Sequence, residues 1–438
     1  MDIARARERS LSRVLIAYVS SGLIFMMLPG TFLGVWNLLQ ISGRESAGSV
    51  SPAWLQAHGH AQVFGWVGSF ILGIGFHSIP KRRGDLAPPT RAAWICWIGW
   101  TAGVAMRWAA NIYPWHWRVW LPVSAALELA AFLIFFAAVS RHRPEDAGQK
   151  ELEPWIWVVI AASMGFFLSL AADLAACIGL AFSGSSPALP HMLDQRYLSL
   201  ITWGFLVPFI WGFSARWMHV FLGLRQPRTR LLAAAVGVNF AGVAAAAFGV
   251  EMLASILFVV GAALAIAAIG MFEPAVREPK TRGVHASFPF FVRLAYVWML
   301  AAALLSVAAV EWDTSGGFWG ASRHALTVGF IAMMVLCIGQ RILPAFAGMR
   351  LLWNTRLMFA GLLLLATGCV LRVSSEILAY QGYAEWAWSV LPLSAVLELL
   401  GITSFAVNIF GTFILEPSHA VRQPLTIEIE QHASSDMR

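Results

Sequence analysis

The segment LPVSAALEL at residues 121–129 recurs as LPLSAVLEL at residues 391–399. Two histidines repeat in the same way, one earlier in each copy: His60 and His324 are both followed by alanine and by similarly spaced glycines. Agreement of this length within apolar sequence indicates an internal duplication, because self-similarity at a fixed spacing is the signature of a repeated structural unit.

A weaker third copy lies between these two. Glycine and phenylalanine positions of the first copy recur in it as Gly204, Phe209 and Gly212, and its histidine position is occupied by Ser199. Each copy has room for four helices. The sequence therefore predicts an all-α polytopic membrane protein, with twelve transmembrane helices as three repeats of four, forming one integral membrane domain. The predicted repeats are residues 1–150, 151–283 and 284–438.

Composition supports a membrane location. Of the 438 residues, 59% are hydrophobic and only 12% are charged, too few charges to cover a water-soluble protein of this size. Apolar runs of roughly 18–25 residues recur along the chain, and each can cross a hydrocarbon core of ~30 Å. The predicted helices are 12–38, 54–79, 92–110, 119–139, 155–181, 196–218, 231–249, 252–271, 289–310, 318–342, 357–378 and 387–413.

The distribution of positive charge predicts the orientation. The amino terminus, the ends of the even-numbered helices and the short tail carry most of the 30 lysines and arginines. The opposite side carries only four, Arg44, Arg118, Arg196 and Arg323. By the positive-inside rule, both termini are cytoplasmic in a bacterial inner membrane. The net charge of +7 then reflects topology and contact with anionic lipids, and no nucleic acid is expected as a partner.

His60 and His324 are the strongest candidates for cofactor chemistry. Ionisable side chains within a membrane span are costly and usually functional. Each of these histidines lies about six residues inside the predicted outer end of its helix, or roughly 9 Å at ~1.5 Å per residue. Two histidines at equal depth on repeat-related helices can serve as the two axial ligands of one haem. We therefore predict a b-type haem between them.

Two arginines and two glutamates repeat near this level. Arg107 and Arg372 lie close to the outer ends of their helices, where their guanidinium groups could bind the haem propionates. Alternatively, they could form ion pairs with Glu128 and Glu398, which lie nearer to the middle of the membrane. The sequence does not decide between these two roles. The glutamates are either structural hydrogen-bonding groups or members of a proton path.

His58 forms a His-Gly-His motif with His60. Residues two positions apart do not share a helix face, so His58 and His60 cannot both bind one iron. We consider His58 as a copper ligand. The four cysteines lie singly within predicted helices, where small apolar packing is their expected role.

These motifs resemble those of the NnrS family. The similar segments are HGHAQVFG at residues 58–65, RHALTVG at residues 323–329, WGFLVP at residues 203–208 and RLAYVW at residues 293–298. Members of this family are twelve-helix membrane proteins that contain haem and copper and are linked to nitric oxide metabolism and nitrosative stress. One position differs, because Gln62 stands where the family often has a glutamate.

The predicted architecture is also similar to that of the catalytic subunit of haem–copper oxidases and nitric oxide reductases. In those enzymes the second and tenth helices supply the two histidines of the low-spin haem, which match His60 and His324. Further histidines on helices 6, 7 and 10 bind a second haem and its neighbouring metal there. Helix 7 has no histidine here, and helix 6 has only His219 at its inner end. The binuclear centre is therefore missing, and oxygen reduction is not expected.

Three functions remain open from the sequence. The first is a haem-binding or haem–copper protein that responds to nitric oxide or nitrosative stress, with a redox reaction on nitric oxide-derived species as its potential activity. The second is a bis-histidine electron-transfer or quinol-oxidising subunit, which requires a redox partner. The third is a solute transporter, against which the even-numbered parallel repeats argue.

Overall fold

Long helices make up nearly all of the described chain. The computed structural model describes residues 2–83, 90–140, 153–347 and 351–415, and no strand occurs within these ranges. The α-helices are α1 (Asp2–Phe25), α2 (Leu33–Arg44), α3 (Pro52–His60), α4 (Ser69–Arg83), α5 (Thr90–Ile112), α6 (Trp117–Ser140), α7 (Pro154–Ser183), α8 (His191–Ser199), α9 (Val207–Phe221), α10 (Thr229–Ala247), α11 (Glu251–Ile269), α12 (Phe288–Trp312), α13 (Gly317–His324), α14 (Met333–Phe346), α15 (Thr355–Tyr380) and α16 (Ala387–Ile414).

Four short π-helical segments join pairs of these α-helices into continuous longer helices. Met26–Phe32 joins α1 to α2, Ala61–Gly68 joins α3 to α4, Leu200–Leu206 joins α8 to α9, and Ala325–Ala332 joins α13 to α14. The last three segments begin directly after His60, Ser199 and His324, the positions that correspond in the predicted repeats. Single π-helical turns of this kind are frequent at functional sites.

Eleven helical stretches within the described residues are long and apolar enough to cross a membrane. They correspond to eleven of the predicted helices and indicate an integral membrane protein. The stretch predicted at 92–110 is the helix α5, which does not reach the same hydropathy because it contains Arg107 and several tryptophans. A twelfth span and the repeat organisation therefore stay predictions, as do the domain limits.

The helices close into one bundle. Consecutive helices pack as antiparallel neighbours, notably α5 with α6, α10 with α11 and α15 with α16, and α2 near the amino terminus packs against the last helix, α16. Aromatic side chains fill the centre, where the rings of Phe166 and Phe205 stack with centroids 4.0 Å apart. Large apolar side chains such as Phe182 and Phe248 are instead exposed at the periphery, as expected for surfaces that face lipid.

Several positively charged residues used to predict orientation lie outside the described residues, namely Arg141, Arg143, Lys150, Arg350, Arg422 and Arg438, as does the predicted tail. The inner-membrane location and the cytoplasmic termini stay predictions.

Candidate functional site

His324 is the last residue of α13, and its imidazole ring has a hydrogen bond to a backbone carbonyl and a close contact with a carboxylate. Its Nδ1 lies 2.8 Å from the carbonyl oxygen of Gly320 and 3.0 Å from Glu376 Oε2 on α15. Since a carbonyl oxygen can only accept, Nδ1 must carry the proton, and the lone pair of the neutral ring is on Nε2. Gly320 permits this approach, because a Cβ there would overlap the Glu376 carboxylate. The His324 side chain is 27% exposed, so Nε2 is available to a ligand.

His58 resembles His324 in that its Nδ1 lies beside a backbone carbonyl. Its Nδ1 lies 2.8 Å from the carbonyl oxygen of Gly30, within the π-helical segment that contains Pro29. This carbonyl also requires the proton on Nδ1 and leaves the lone pair on Nε2. Gly34 makes room for the ring, since a Cβ at that position would lie 3.0 Å from Nδ1. His58 lies within electrostatic range of His324.

His60 points in a different direction from His58. Its Nε2 lies 2.9 Å from Glu128 Oε1 on α6, and its ring packs against Phe64 with centroids 4.7 Å apart. It lies within electrostatic range of Arg107 and Asp173. The structure thus separates the His-Gly-His motif into two environments, as expected for residues two positions apart on a helix. With Nε2 occupied by a carboxyl group, only Nδ1, the nitrogen nearer to the backbone, is left for a metal.

The two repeated arginines have acidic partners that the sequence did not indicate. Arg107 donates from Nη1 to Asp173 Oδ2 at 3.2 Å and contacts Cys177 Sγ, while Arg372 donates from Nη2 to Glu376 Oε1 at 3.4 Å. The expected alternative of ion pairs with Glu128 and Glu398 is therefore replaced by pairs with other carboxylates. Both acids lie within predicted membrane spans, and this position alone could have marked them as candidates.

Arg372 is incompletely satisfied by the protein. It is buried, and its Nε and Nη1 have no hydrogen-bond partner within the described residues. It also lies within electrostatic range of His58. In Arg107, only Nε has no hydrogen-bond partner within the described residues, because Nη1 donates to Asp173 and Cys177. A buried guanidinium edge without an acceptor is a place where an anionic ligand group gains the most.

Glu128 and Glu398 occupy matching positions in two helix pairs. A Cβ at Gly103 on α5 would lie 2.7 Å from Glu128 Cγ, and a Cβ at Gly368 on α15 would lie 2.7 Å from Glu398 Cγ. Both glycines thus make room for the methylene groups of a glutamate side chain from the neighbouring helix. The local packing agrees with the sequence repeat at these positions. Glu128 binds His60, whereas Glu398 Oε1 has no hydrogen-bond partner within the described part of the chain.

The residues present fit a haem better than a multi-ligand metal ion. Two half-buried imidazoles with available Nε2 atoms suit the two axial positions of a haem iron, and the open edge of Arg372 suits a propionate. Metal-binding histidines usually donate the other ring N–H to a carbonyl or carboxylate, as both rings do here. By contrast, no cluster of three or more His, Cys, Asp or Glu side chains suited to a metal ion occurs within the described residues. Copper at His58 stays a prediction.

Comparisons with known proteins agree with this architecture. A family model described as NnrS protein matches residues 17–417. Among solved structures, the chain is similar to a heme-copper terminal oxidase dimer determined by cryo-EM, with a TM-score of 0.68 and 12% sequence identity over 93% of this chain and 85% of that chain. At this identity the likeness shows the fold alone. No curated protein matches the chain.

Proposed function

This chain belongs to the NnrS family, and we propose that it is a haem-binding membrane protein that responds to nitric oxide or nitrosative stress. The family resemblance supports the link to nitric oxide, and the oxidase-like fold supports a haem held between transmembrane helices. The bound haem would supply a one-electron redox couple and an iron that binds diatomic ligands.

The residues that would hold the haem iron in this proposal are His324 and His58. One observation carries the assignment. In both rings Nδ1 donates a hydrogen bond to a backbone carbonyl, which leaves the lone pair of Nε2 for a ligand. The two rings also lie within electrostatic range of each other. His60, which the sequence favours through the repeat, uses Nε2 to contact Glu128. It is the alternative partner of His324, and the experiment below separates the two.

The surrounding residues would orient the ligands and the cofactor. Glu376 and Gly320 hold the His324 ring, and Glu376 also pairs with Arg372. The Nε and Nη1 of Arg372 would bind one propionate. Arg107 is the weaker candidate for the other, because only its Nε has no hydrogen-bond partner within the described residues.

Electron transfer or quinol oxidation is the second candidate function, because two axial imidazoles fill the coordination of the iron. In that case the protein needs a redox partner. The two candidates differ in a measurable property. A ligand-binding protein must release one histidine when nitric oxide binds, even if slowly, whereas an electron-transfer protein keeps both through the redox cycle.

The test measures haem per chain and optical spectra of the purified protein with histidine variants. We expect about one b-type haem per chain, lost in His324→Ala and His58→Ala and retained in His60→Ala. His285→Ala is the matched control, since this histidine instead contacts Ser287 near the start of α12. Loss in His60→Ala with retention in His58→Ala would restore the pair favoured by the sequence. Full haem content in all variants would refute haem binding at these histidines.

A further inference from the structure

A second site lies at the opposite end of the bundle, the end predicted to face the cytoplasm. A cavity of about 840 Å³ opens there between the start of α7 and the ends of α9 and α14. Its lining includes Phe221 and Phe346, where two candidate membrane spans end, and Pro154, where a third begins. The cavity therefore lies at the boundary between the apolar core of a membrane and its headgroup region.

Two arginines line this cavity, and aromatic rings hold both. The guanidinium carbon of Arg216 lies 4.4 Å from the centroid of the Trp155 ring, and that of Arg341 lies 5.0 Å from the Phe221 ring. Contacts of this kind fix the orientation of a guanidinium group, because the ring holds its face while its N–H groups lie in the guanidinium plane. The arginines are thus oriented within the cavity rather than extended into solvent.

Positive charge exceeds negative charge at these groups. Arg216 forms an ion pair with Glu153 at 3.3 Å. Arg341 donates only to the backbone carbonyl of Lys280, at 3.5 Å, and its Nε is buried without a hydrogen-bond partner within the described residues. No carboxylate in the described ranges lies within ion-pair distance of Arg341. Within the described residues, the cavity therefore offers one cation without an acidic partner, Arg341, and a donor nitrogen without an acceptor.

Besides the two arginines, the lining contains the polar residues Glu153, His219, Gln226 and Thr229, and the other lining residues are apolar. Phe221, Phe346 and Trp217 form a continuous aromatic wall, in which the ring centroids of Trp217 and Phe346 lie 6.3 Å apart. A ligand that suits this cavity has a singly charged anionic group at one end and apolar chains at the other. An anionic phospholipid has this chemistry, and basic pockets between helices at a membrane surface bind such headgroups.

We propose that this cavity binds one anionic phospholipid, with its phosphate on Arg341 and Arg216 and its acyl chains against Phe221 and Phe346. The guanidinium groups would donate charge-assisted hydrogen bonds to the phosphate oxygens. The site is separate from the haem site proposed above, because its lining includes none of the residues assigned there.

The test is native mass spectrometry of the purified chain titrated with phosphatidylglycerol or, in parallel, with zwitterionic phosphatidylcholine. We expect one phosphatidylglycerol molecule to be retained more strongly than phosphatidylcholine. Arg341→Gln combined with Arg216→Gln should weaken this retention on the order of tenfold or more, because charged hydrogen bonds are lost. Arg341→Lys, which keeps the charge but loses the planar fork, should give an intermediate value.

Arg356→Gln is the matched control, an exposed arginine at the start of α15 and outside the cavity. It should retain the lipid as the unmodified chain does. Equal retention of the two lipids, or unchanged retention in the double variant, would overturn the proposal. Displacement of the lipid by millimolar inorganic phosphate would also overturn it, since the site would then recognise free phosphate. Circular dichroism of each variant identifies any loss that comes from unfolding.

Discussion

Removing Glu376 should destabilise the protein more than removing its partner Arg372. Glu376→Leu leaves Arg372 buried as an uncompensated cation, and two of its nitrogens already have no hydrogen-bond partner within the described residues. Breaking a buried ion pair in this way costs ~3–5 kcal/mol. Arg372→Leu should cost less, roughly 1–3 kcal/mol, because His324 Nδ1 still lies 3.0 Å from the remaining carboxylate. The contacts of Glu376 thus predict that Glu376→Leu lowers the free energy of unfolding more than Arg372→Leu does.

The double variant Arg372→Leu/Glu376→Leu completes the cycle. Replacing a buried ion pair by apolar residues is often close to neutral, so the double variant should be more stable than Glu376→Leu alone. The measurement is the free energy of unfolding in mixed micelles, followed by circular dichroism. All variants are compared after haem extraction, because a bound ligand would add its own stabilisation.

Asp173→Leu is the matched control at the other arginine, Arg107, and should also cost ~3–5 kcal/mol. Two results would refute the reasoning about Glu376. One is a cost below ~1 kcal/mol for Glu376→Leu, which would mean that Arg372 finds water or another partner. The other is a double variant no more stable than Glu376→Leu, which would mean that the carboxylate is needed for packing rather than for charge balance.

Three further predictions concern packing, redox potential and ligand binding. Gly103→Ala should lower the free energy of unfolding by about 1–3 kcal/mol in the same assay, because the added Cβ would clash with Glu128. The control Gly99→Ala, whose Cβ would meet its nearest neighbour at 3.8 Å, should be neutral or stabilising. Arg372→Leu should lower the haem midpoint potential in a redox titration more than Arg107→Leu, because Arg372 has two nitrogens open to a propionate and Arg107 has one, and removing a cation beside the haem disfavours the reduced state. Equal shifts would contradict the propionate assignment. The resting protein should give a low-spin spectrum and bind nitric oxide slowly in stopped-flow mixing, since an axial histidine must leave first; a high-spin resting spectrum with rapid binding would contradict two axial histidines.

Hydropathy was enough to predict the helices but not their ends. The stretch predicted at 196–218 forms the span His191–Phe221, because polar residues such as Asp194 and Gln195 continue the helix beyond its apolar part. The π-helical segments were not predicted. Their hydrogen-bond pattern depends on packing against neighbouring helices, and only Pro29 gives a local sign of an interrupted helix.

The sequence identified several residues of the candidate site, but it did not predict which of them contact one another. His58, His324 and Arg372 were singled out because charged or imidazole groups are rare in apolar helices. Which of them meet depends on helix rotation, and one residue changes the direction of a side chain by about 100°. For the same reason the repeat could suggest His60 as the partner of His324 while the fold turns it towards Glu128.

The π-helical segments have a consequence for how these long helices are built. An extra residue in one turn advances everything beyond it by about 100° around the axis, so each long helix is two α-helices with an azimuthal offset between them. The α-helix that ends at His60 or His324 is therefore rotated about the helix axis relative to the α-helix that follows the π-helical segment. Leu200–Leu206 keeps this offset although Ser199 stands at the histidine position. The phase shift is thus a property of the scaffold itself, and a helical wheel drawn through the whole span assigns the wrong face to one of its halves.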